Sequence, residues 1–402
     1  MRCGHVIMRS PIPKAQFTPN PQTFPAGLYI HIPFCSSFCS YCDFASEIYQ
    51  PAVVKRYLKA LERELSVRVA ELASVAPFAP RTVYIGGGTP SALNEAELAC
   101  FFDLLERRVN LGCVEEFTIE ANPGSVDAAK LELLRRRGVN RISFGVQSFQ
   151  PRLLKMLGRI HGAGEGRAAV PLARAAGFEN VSLDLMHGLP TQSDDDLRRD
   201  ISEAAALGIE HVSAYGLSYE EGTPLCCAVR RGEVSALPAE EEARHYMLAI
   251  ELLEQAGLRH YEISNYARPG WESRHNLIYW LNEAYLGVGA SAASFVAWER
   301  STNHREVAAY LRAVEATGKA TEKSEVLDAA ARAREALILE LRLRRGVNPD
   351  EFNARWGMDC LRSVAILPRL IQEGLMEVTA DGRYRISRQD LPVADSILAE
   401  FV

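Results

Sequence analysis

The stretch Tyr29-Ile-His-Ile-Pro-Phe-Cys35-Ser-Ser-Phe-Cys39-Ser-Tyr-Cys42-Asp-Phe44 decides how this chain is read. Its apolar first half predicts a strand over Leu28–Ile32. Its second half packs three cysteines into eight residues. Three thiolates from one loop can hold three irons of a four-iron, four-sulfur cube, which leaves the fourth iron free for a small molecule. Zinc is the competing reading. A structural zinc wants four ligands, and the sequence offers no obvious fourth cysteine or well-spaced histidine nearby; a catalytic zinc seldom takes three cysteines this close. The nine cysteines are odd in number and unevenly spread. That opposes a secreted disulfide framework and fits a reducing compartment.

Outward from this loop, a strand and then a helical segment recur. Strands are predicted at Leu28–Ile32, Thr82–Ile85, Glu116–Glu120, Arg141–Gly145, Val181–Met186 and His211–Leu217. Asn94 with Glu97, and Ser193 with Asp196, read as helix caps, and Gly138, Gly177 and Gly208 as helix stops. Six such units imply parallel strands with right-handed crossovers. A closed barrel needs eight, so the predicted α/β fold is an open, partial (β/α)6 barrel with its chemistry at the C-terminal strand ends. Gly86-Gly87-Gly88-Thr89-Pro90 ends the second strand, on the same side as the cysteine loop. Its glycines admit a ligand close to the backbone and offer N–H donors, or else they form a tight turn.

Four divisions are expected. Residues 1–25 form a flexible extension, 26–220 the barrel, 221–320 a flanking segment and 321–402 a small helical, winged-helix-like domain. A helix over Ala239–Ala256 stopped by Gly257, a strand-like Leu258–Ala267, and a hairpin at Asp381-Gly382 are the clearest signals there. The 402 residues are 48% hydrophobic, enough for a large core, and the net charge of −6 argues against broad nucleic-acid binding. A winged helix carrying Arg332, Arg334, Arg342, Arg344 and Arg345 is the opposing nucleic-acid reading, although Glu335 and Glu340 lie among those arginines. No apolar run reaches the roughly 20 residues that span a bilayer. The first 25 residues lack a secretory signal, so a cytoplasmic protein is expected.

Taken together, YIHIPFC-x3-C-x2-CDF, YIGGGTPS, IEANPGS, RISFGVQSF, LDLMHGLP and HNLIYW resemble the radical S-adenosylmethionine (SAM) superfamily. Within it the chain looks like the HemW/HemN family of coproporphyrinogen-oxidase-like proteins. The resemblance implies a partial radical SAM barrel, a [4Fe-4S] cluster on Cys35, Cys39 and Cys42, and SAM bound to the fourth iron. An electron from such a cluster splits the sulfonium into methionine and a 5′-deoxyadenosyl radical, so an electron donor is implied. It also implies SAM contacts from Tyr29, Tyr41, Gly87, Gly88, Thr89, Glu120, Gln147, Arg159, Asp184 and Gly216.

Two branches of the family differ at one position. The oxygen-independent oxidases resemble this chain but carry a fourth cysteine where Phe44 stands here, which puts porphyrinogen oxidation in doubt. The HemW-like branch implies haem as a further cofactor and a haem-accepting protein as partner; a homodimer and peripheral membrane contact are compatible with it. The HNLIYW segment, with His275, Asn276, Tyr279 and Trp280, is the haem candidate. On a helix His275 and Tyr279 share a face, as do Asn276 and Trp280. A histidine can ligate haem iron, or the segment can be packed aromatic core with His275 hydrogen-bonded inside. His211, His260, His304, Cys226 and Cys227 are the other ligand candidates. Absorption and electron paramagnetic spectra of protein purified without air test the first choice. A brown iron–sulfur chromophore is expected; tightly bound zinc without that chromophore would refute the cluster.

Overall fold

In the computed structural model, residues 25–74, 77–357, 364 and 366–401 are described. The expected extension therefore lies almost wholly outside the described residues. Each of the six predicted strands is present: β1 (Gly27–Ile32), β4 (Thr82–Gly87), β5 (Glu116–Ala121), β6 (Arg141–Gln147), β7 (Asn180–His187) and β8 (His211–Gly216). Two short strands, β2 (Phe34–Cys35) and β3 (Glu47–Ile48), pair in parallel and clasp the base of the cysteine loop between them. The six barrel strands lie side by side and parallel in chain order.

The sheet extends further than the sequence pattern indicates. The strand-like Leu258–Ala267 divides into β9 (Arg259–Glu262) and β10 (Asn265–Ala267), an antiparallel pair beside β8. Beyond β1 lies β11 (Tyr285–Val288), a seventh parallel strand. It is followed by β12 (Ala293–Val296), β13 (Glu299–Asn303) and β14 (Thr321–Val326), all antiparallel. The twelve strands run in linear order, so the sheet stays open.

Alternation separates two faces. Leu28, Ile30, Val83, Ile85, Phe117, Ile119, Ile142, Phe144, Val181 and Leu183 are buried in the core shared with the helices. The residues that alternate with them (Tyr29, Tyr84, Thr118, Glu120, Ser143, Ser182, Asp184) point to the interior of the barrel. The helix Glu95–Arg108 carries the expected capping box, Asn94 accepting from Glu97 N and Glu97 from Asn94 N. Ser193 and Asp196 cap Asp194–Ala206 in the same way.

The C-terminal residues form the helices Ala329–Glu340, Pro349–Trp356, Leu367–Gln372 and Ala394–Ala399. Between them lies the expected hairpin, β15 (Met376–Val378) with β16 (Tyr384–Ile386). Phe352, Leu370, Met376, Ile386 and Leu398 join the same buried cluster as the barrel. Four of the five arginines named for this region are drawn into local contacts, while Arg334 is exposed. Arg332 sits 4.2 Å over the Trp298 ring, Arg342 pairs with Asp395, Arg344 donates to Ile386 O and Arg345 pairs with Glu340. Among the described residues, no helix is long and apolar enough to cross a membrane.

One buried carboxylate ties the long helix Pro51–Ala73 to the far side of β1. Glu64 is 1% exposed and accepts from Gly289 N (2.8 Å), Tyr310 Oη (2.8 Å) and Asn303 Nδ2 (2.6 Å). Glu64→Ala strands these donors without an acceptor, so urea unfolding should show a loss of about 3 kcal/mol.

Candidate functional site

β1 delivers the chain into the cysteine loop, and His31 fixes how it enters. Its Nε2 lies 2.8 Å from Ala45 O, which can only accept, so Nε2 carries the proton. Burial lowers the His31 pKa and keeps the ring neutral, so Nδ1 accepts from the Tyr29 hydroxyl at 3.0 Å. The ring also presses on Gly87. A Cβ there would stand 2.6 Å from the imidazole, and the φ of +118° disfavours any side chain.

The glycine run packs against the cysteine loop. A Cβ on Gly88 would meet Pro33 O at 2.7 Å and Cys35 Sγ at 3.0 Å; one on Gly86 would meet the Glu120 carboxyl at 3.0 Å. The backbone N–H groups expected to be free are engaged internally: Gly87 N donates to Glu120 (3.1 Å), Gly88 N to Ile32 O and Thr89 N to Phe34 O (both 2.9 Å). Close approach is therefore what the glycines supply here, because their donors already have acceptors.

Cys35, Cys39 and Cys42 are half-buried and free. Cys35 Sγ lies 3.5 Å from Thr89 Oγ1, and Arg159 Nη1 lies 3.2 Å from Cys39 Sγ. Burial pushes the Cys35 and Cys42 thiols up, and the neighbouring sulfurs add to it; Arg159 pulls both back. Metal binding must therefore displace protons. Among the described residues, no three Cys, His, Asp or Glu side chains gather as one metal ion requires. Three soft donors on one half-buried loop fit the corners of an iron–sulfur cube better than a lone zinc.

The other expected contacts converge on the same end. Gln147 sits at a bulge in β6 with φ of +68°. With no side chain on Gly145, Gln147 Nε2 and Arg159 Nη2 lie 3.1 and 3.3 Å from where a Cβ would be. Arg159 Nη2 donates to Gly145 O (2.5 Å), and the guanidinium also hydrogen-bonds Tyr41. Gly216 ends β8 at the open rim. Below the rim, Glu120 accepts from Tyr84 Oη (2.7 Å), and Asp184 from Ser143 Oγ (3.0 Å). Burial, with Asp184 nearby, pushes Glu120 up to about 7, while burial also raises Asp184.

The HNLIYW segment lies at the opposite end, where the strands begin. It forms the helix Arg274–Trp280. Its His275 is 1% exposed with both ring nitrogens engaged: Nδ1 with Thr82 Oγ1 (2.7 Å) and Nε2 with Tyr279 Oη (2.8 Å). Burial lowers its pKa to about 3, and the ring stacks on Tyr84. Asn276 and Trp280 are half-buried, and Arg342 covers the Trp280 ring at 5.0 Å. His211 is likewise held at both nitrogens, by Ser182 and Tyr261, while His260 is buried against Tyr266. Cys226 is buried and Cys227 half-buried. His304 has a half-exposed ring, its Nδ1 3.4 Å from Glu322. The next residue, Arg305, pairs with Asp43 beside Cys42.

Parallel strands ending in a three-cysteine loop and a glycine loop define a radical SAM protein. A family model for the radical SAM superfamily matches residues 29–204, and one for the HemN C-terminal domain matches 327–392. The heme chaperone HemW of Bacillus subtilis is 36% identical over 93% of this chain and 98% of its own length. Its Escherichia coli namesake is 35% identical over 89% and 93%. The solved coproporphyrinogen III oxidase HemN of E. coli shares the fold, with a TM-score of 0.82 over 95% of this chain and 91% of that one, at 24% identity. This chain belongs to the HemW family within the radical SAM superfamily. That family implies a [4Fe-4S] cluster and SAM as cofactors.

Glu120 gives this site a pH signature. Its folded pKa of about 7 exceeds the ordinary 4.5, so its contribution to stability is fully present below about 4.5 and lost as pH rises through 7. Glu120→Gln removes that loss. In thermal melts the variant should gain on the wild type as pH rises from about 5 to about 8; a gap independent of pH would contradict the raised pKa.

Proposed function

We propose that this protein is a haem chaperone that binds haem and passes it to a haem-accepting protein. What carries the reading is similarity over almost the full length to the heme chaperones HemW. Phe44 adds support: it stands where the oxidase branch has a fourth cysteine, and its side chain is 73% exposed beside the loop. Cys35, Cys39 and Cys42 would hold the cluster, which supplies one-electron reduction of SAM when bound. Thr89 and Arg159 place a hydroxyl and a cation against the Cys35 and Cys39 sulfurs that would ligate it. Gly87 and Gly88 let His31 and Pro33 pack close against the loop, while Tyr29, Tyr41, Gln147, Glu120, Asp184 and Gly216 would face SAM.

Half-exposed thiols beside such a loop suit a reducing cytoplasm. An electron donor is required for SAM reduction. A homodimer and a peripheral membrane contact are compatible with haem hand-over. Of the haem-ligand candidates, His304 is favoured because its ring is accessible.

Anaerobically reconstituted protein tests the reading. Stoichiometric haem loading and transfer to an apo-haem protein are expected, without porphyrinogen turnover in the presence of SAM and a reductant. Cys39→Ser should abolish transfer. His304→Ala should weaken haem loading by about tenfold or more, whereas His275→Ala should lower stability and leave loading intact. Substantial protoporphyrinogen formation would favour the oxidase reading instead.

A further inference from the structure

We infer that Arg159 sets the reduction potential of the cluster: its guanidinium donates to the Cys39 sulfur and makes a bound cluster easier to reduce. The contact is fixed at both ends. Arg159 Nη1 lies 3.2 Å from Cys39 Sγ, while Nη2 is held by Gly145 O. The next residue of the loop, Ser40, donates from its N–H to Leu157 O and from Oγ to Met156 O, both at 3.0 Å. Gly158 lies against this segment. A Cβ there would meet Ser40 N at 3.2 Å and Cys39 Cα at 3.8 Å, so a side chain would press the loop away from the turn that carries Arg159. Leu225 N adds a further bond, to Ser40 O (2.8 Å). The separation of cation and sulfur is therefore set by backbone contacts on either side of the pair.

Each of the three sulfurs has one donor. Thr89 Oγ1 stands 3.5 Å from Cys35 Sγ, Arg159 serves Cys39, and the Phe44 N–H hydrogen-bonds Cys42. Against a ligating thiolate, which has no proton, the threonine hydroxyl can only donate. Of the three donors only Arg159 brings a full charge, and an arginine does not lose it on burial. Uptake of one electron adds one negative charge to a cluster, and hydrogen bonds to its sulfurs stabilise that reduced form. A charge-assisted bond is roughly twice as strong as a neutral one. Arg159 therefore outweighs Thr89, whose contact is also the longer. Asp43 acts in the opposite sense beside Cys42, but Arg305 pairs with it. The inference rests on the radical SAM cluster and is independent of haem transfer.

A redox titration of the anaerobically reconstituted full chain tests it, with dithionite as the reductant and electron paramagnetic resonance as the readout. SAM is left out, which separates this role from a contact between Arg159 and SAM. Arg159→Met should lower the equilibrium constant for one-electron reduction by about tenfold, a fall of about 59 mV. Arg159→Lys keeps the charge without the planar fork and should lie between that variant and wild type. Thr89→Val should shift the potential the same way by less. Iron and sulfide analysis of the same samples shows that each variant holds its cluster. An unchanged or raised potential in Arg159→Met would overturn the proposal, and so would a fall in Thr89→Val as large as that in Arg159→Met. If Arg159→Met takes up no cluster, the other two variants decide: wild-type potentials in both overturn the proposal, and a larger fall in Arg159→Lys than in Thr89→Val supports it. Haem loading of parallel samples is a separate outcome, since its failure would count against haem transfer and leave the potentials as they are.

Discussion

A neutral imidazole lying on a glycine holds the functional end of this molecule together. His31 accepts a hydrogen bond from Tyr29, donates one to Ala45 O beyond the last cysteine, and rests on Gly87. One side chain thus joins the strand, the cysteine loop and the glycine loop. A protonated ring would have two donors and no acceptor for Tyr29, so the burial that keeps it neutral also preserves the link. Tyr57 reinforces it from the other side, donating to His31 O and accepting from Ala290 N. The position of the cysteines is therefore set by the barrel core, before any cluster is considered.

The interior of the barrel is a second constraint. It is unusually polar for a protein core: Glu120, Ser143, Asp184 and Arg141 all face it, and the two carboxyls are pushed toward neutrality by burial. Such a lining costs stability unless water or ligands satisfy it. The compensating apolar contacts lie outside, where Phe101, Phe102 and Phe117 pack between strands and helices at about 1.5–3 kcal/mol each. Stability and function thus occupy opposite faces of the same strands, which is why alternation along β5 and β6 separates core residues from site residues.

That alternation made most of the fold legible. The six strand positions, the caps at Asn94 and Ser193 and the hairpin at Asp381-Gly382 follow from local periodicity and turn chemistry, and the structure has them. What local sequence did not yield is pairing. β11 is only four residues long, and nothing in Tyr285–Val288 announces that it lies parallel to β1. The break between β9 and β10 turns on Ile263 and Ser264, which carry no glycine or proline signal. In the site, Cys35, Cys39, Cys42, Thr89 and Arg159 were visible as residue types. The role of His31 as a clamp was not, because it arises from partners distant in sequence.

The HNLIYW segment shows the limit of reading chemistry from residue types. A histidine followed by a tyrosine one turn later is compatible with ligation and with packing, and only partners decide between them. Here Thr82 and Glu116, the first residues of β4 and β5, meet the segment through the His275 ring and the His275 N–H. The rings of Tyr279, His275, Tyr84 and Tyr29 then continue through the barrel to His31. The segment therefore closes the end where the strands begin and supports, from below, the column on which the cysteine loop rests. Any altered haem or cluster phenotype in a His275 variant would therefore be evidence of coupling through packed rings before it is evidence of ligation.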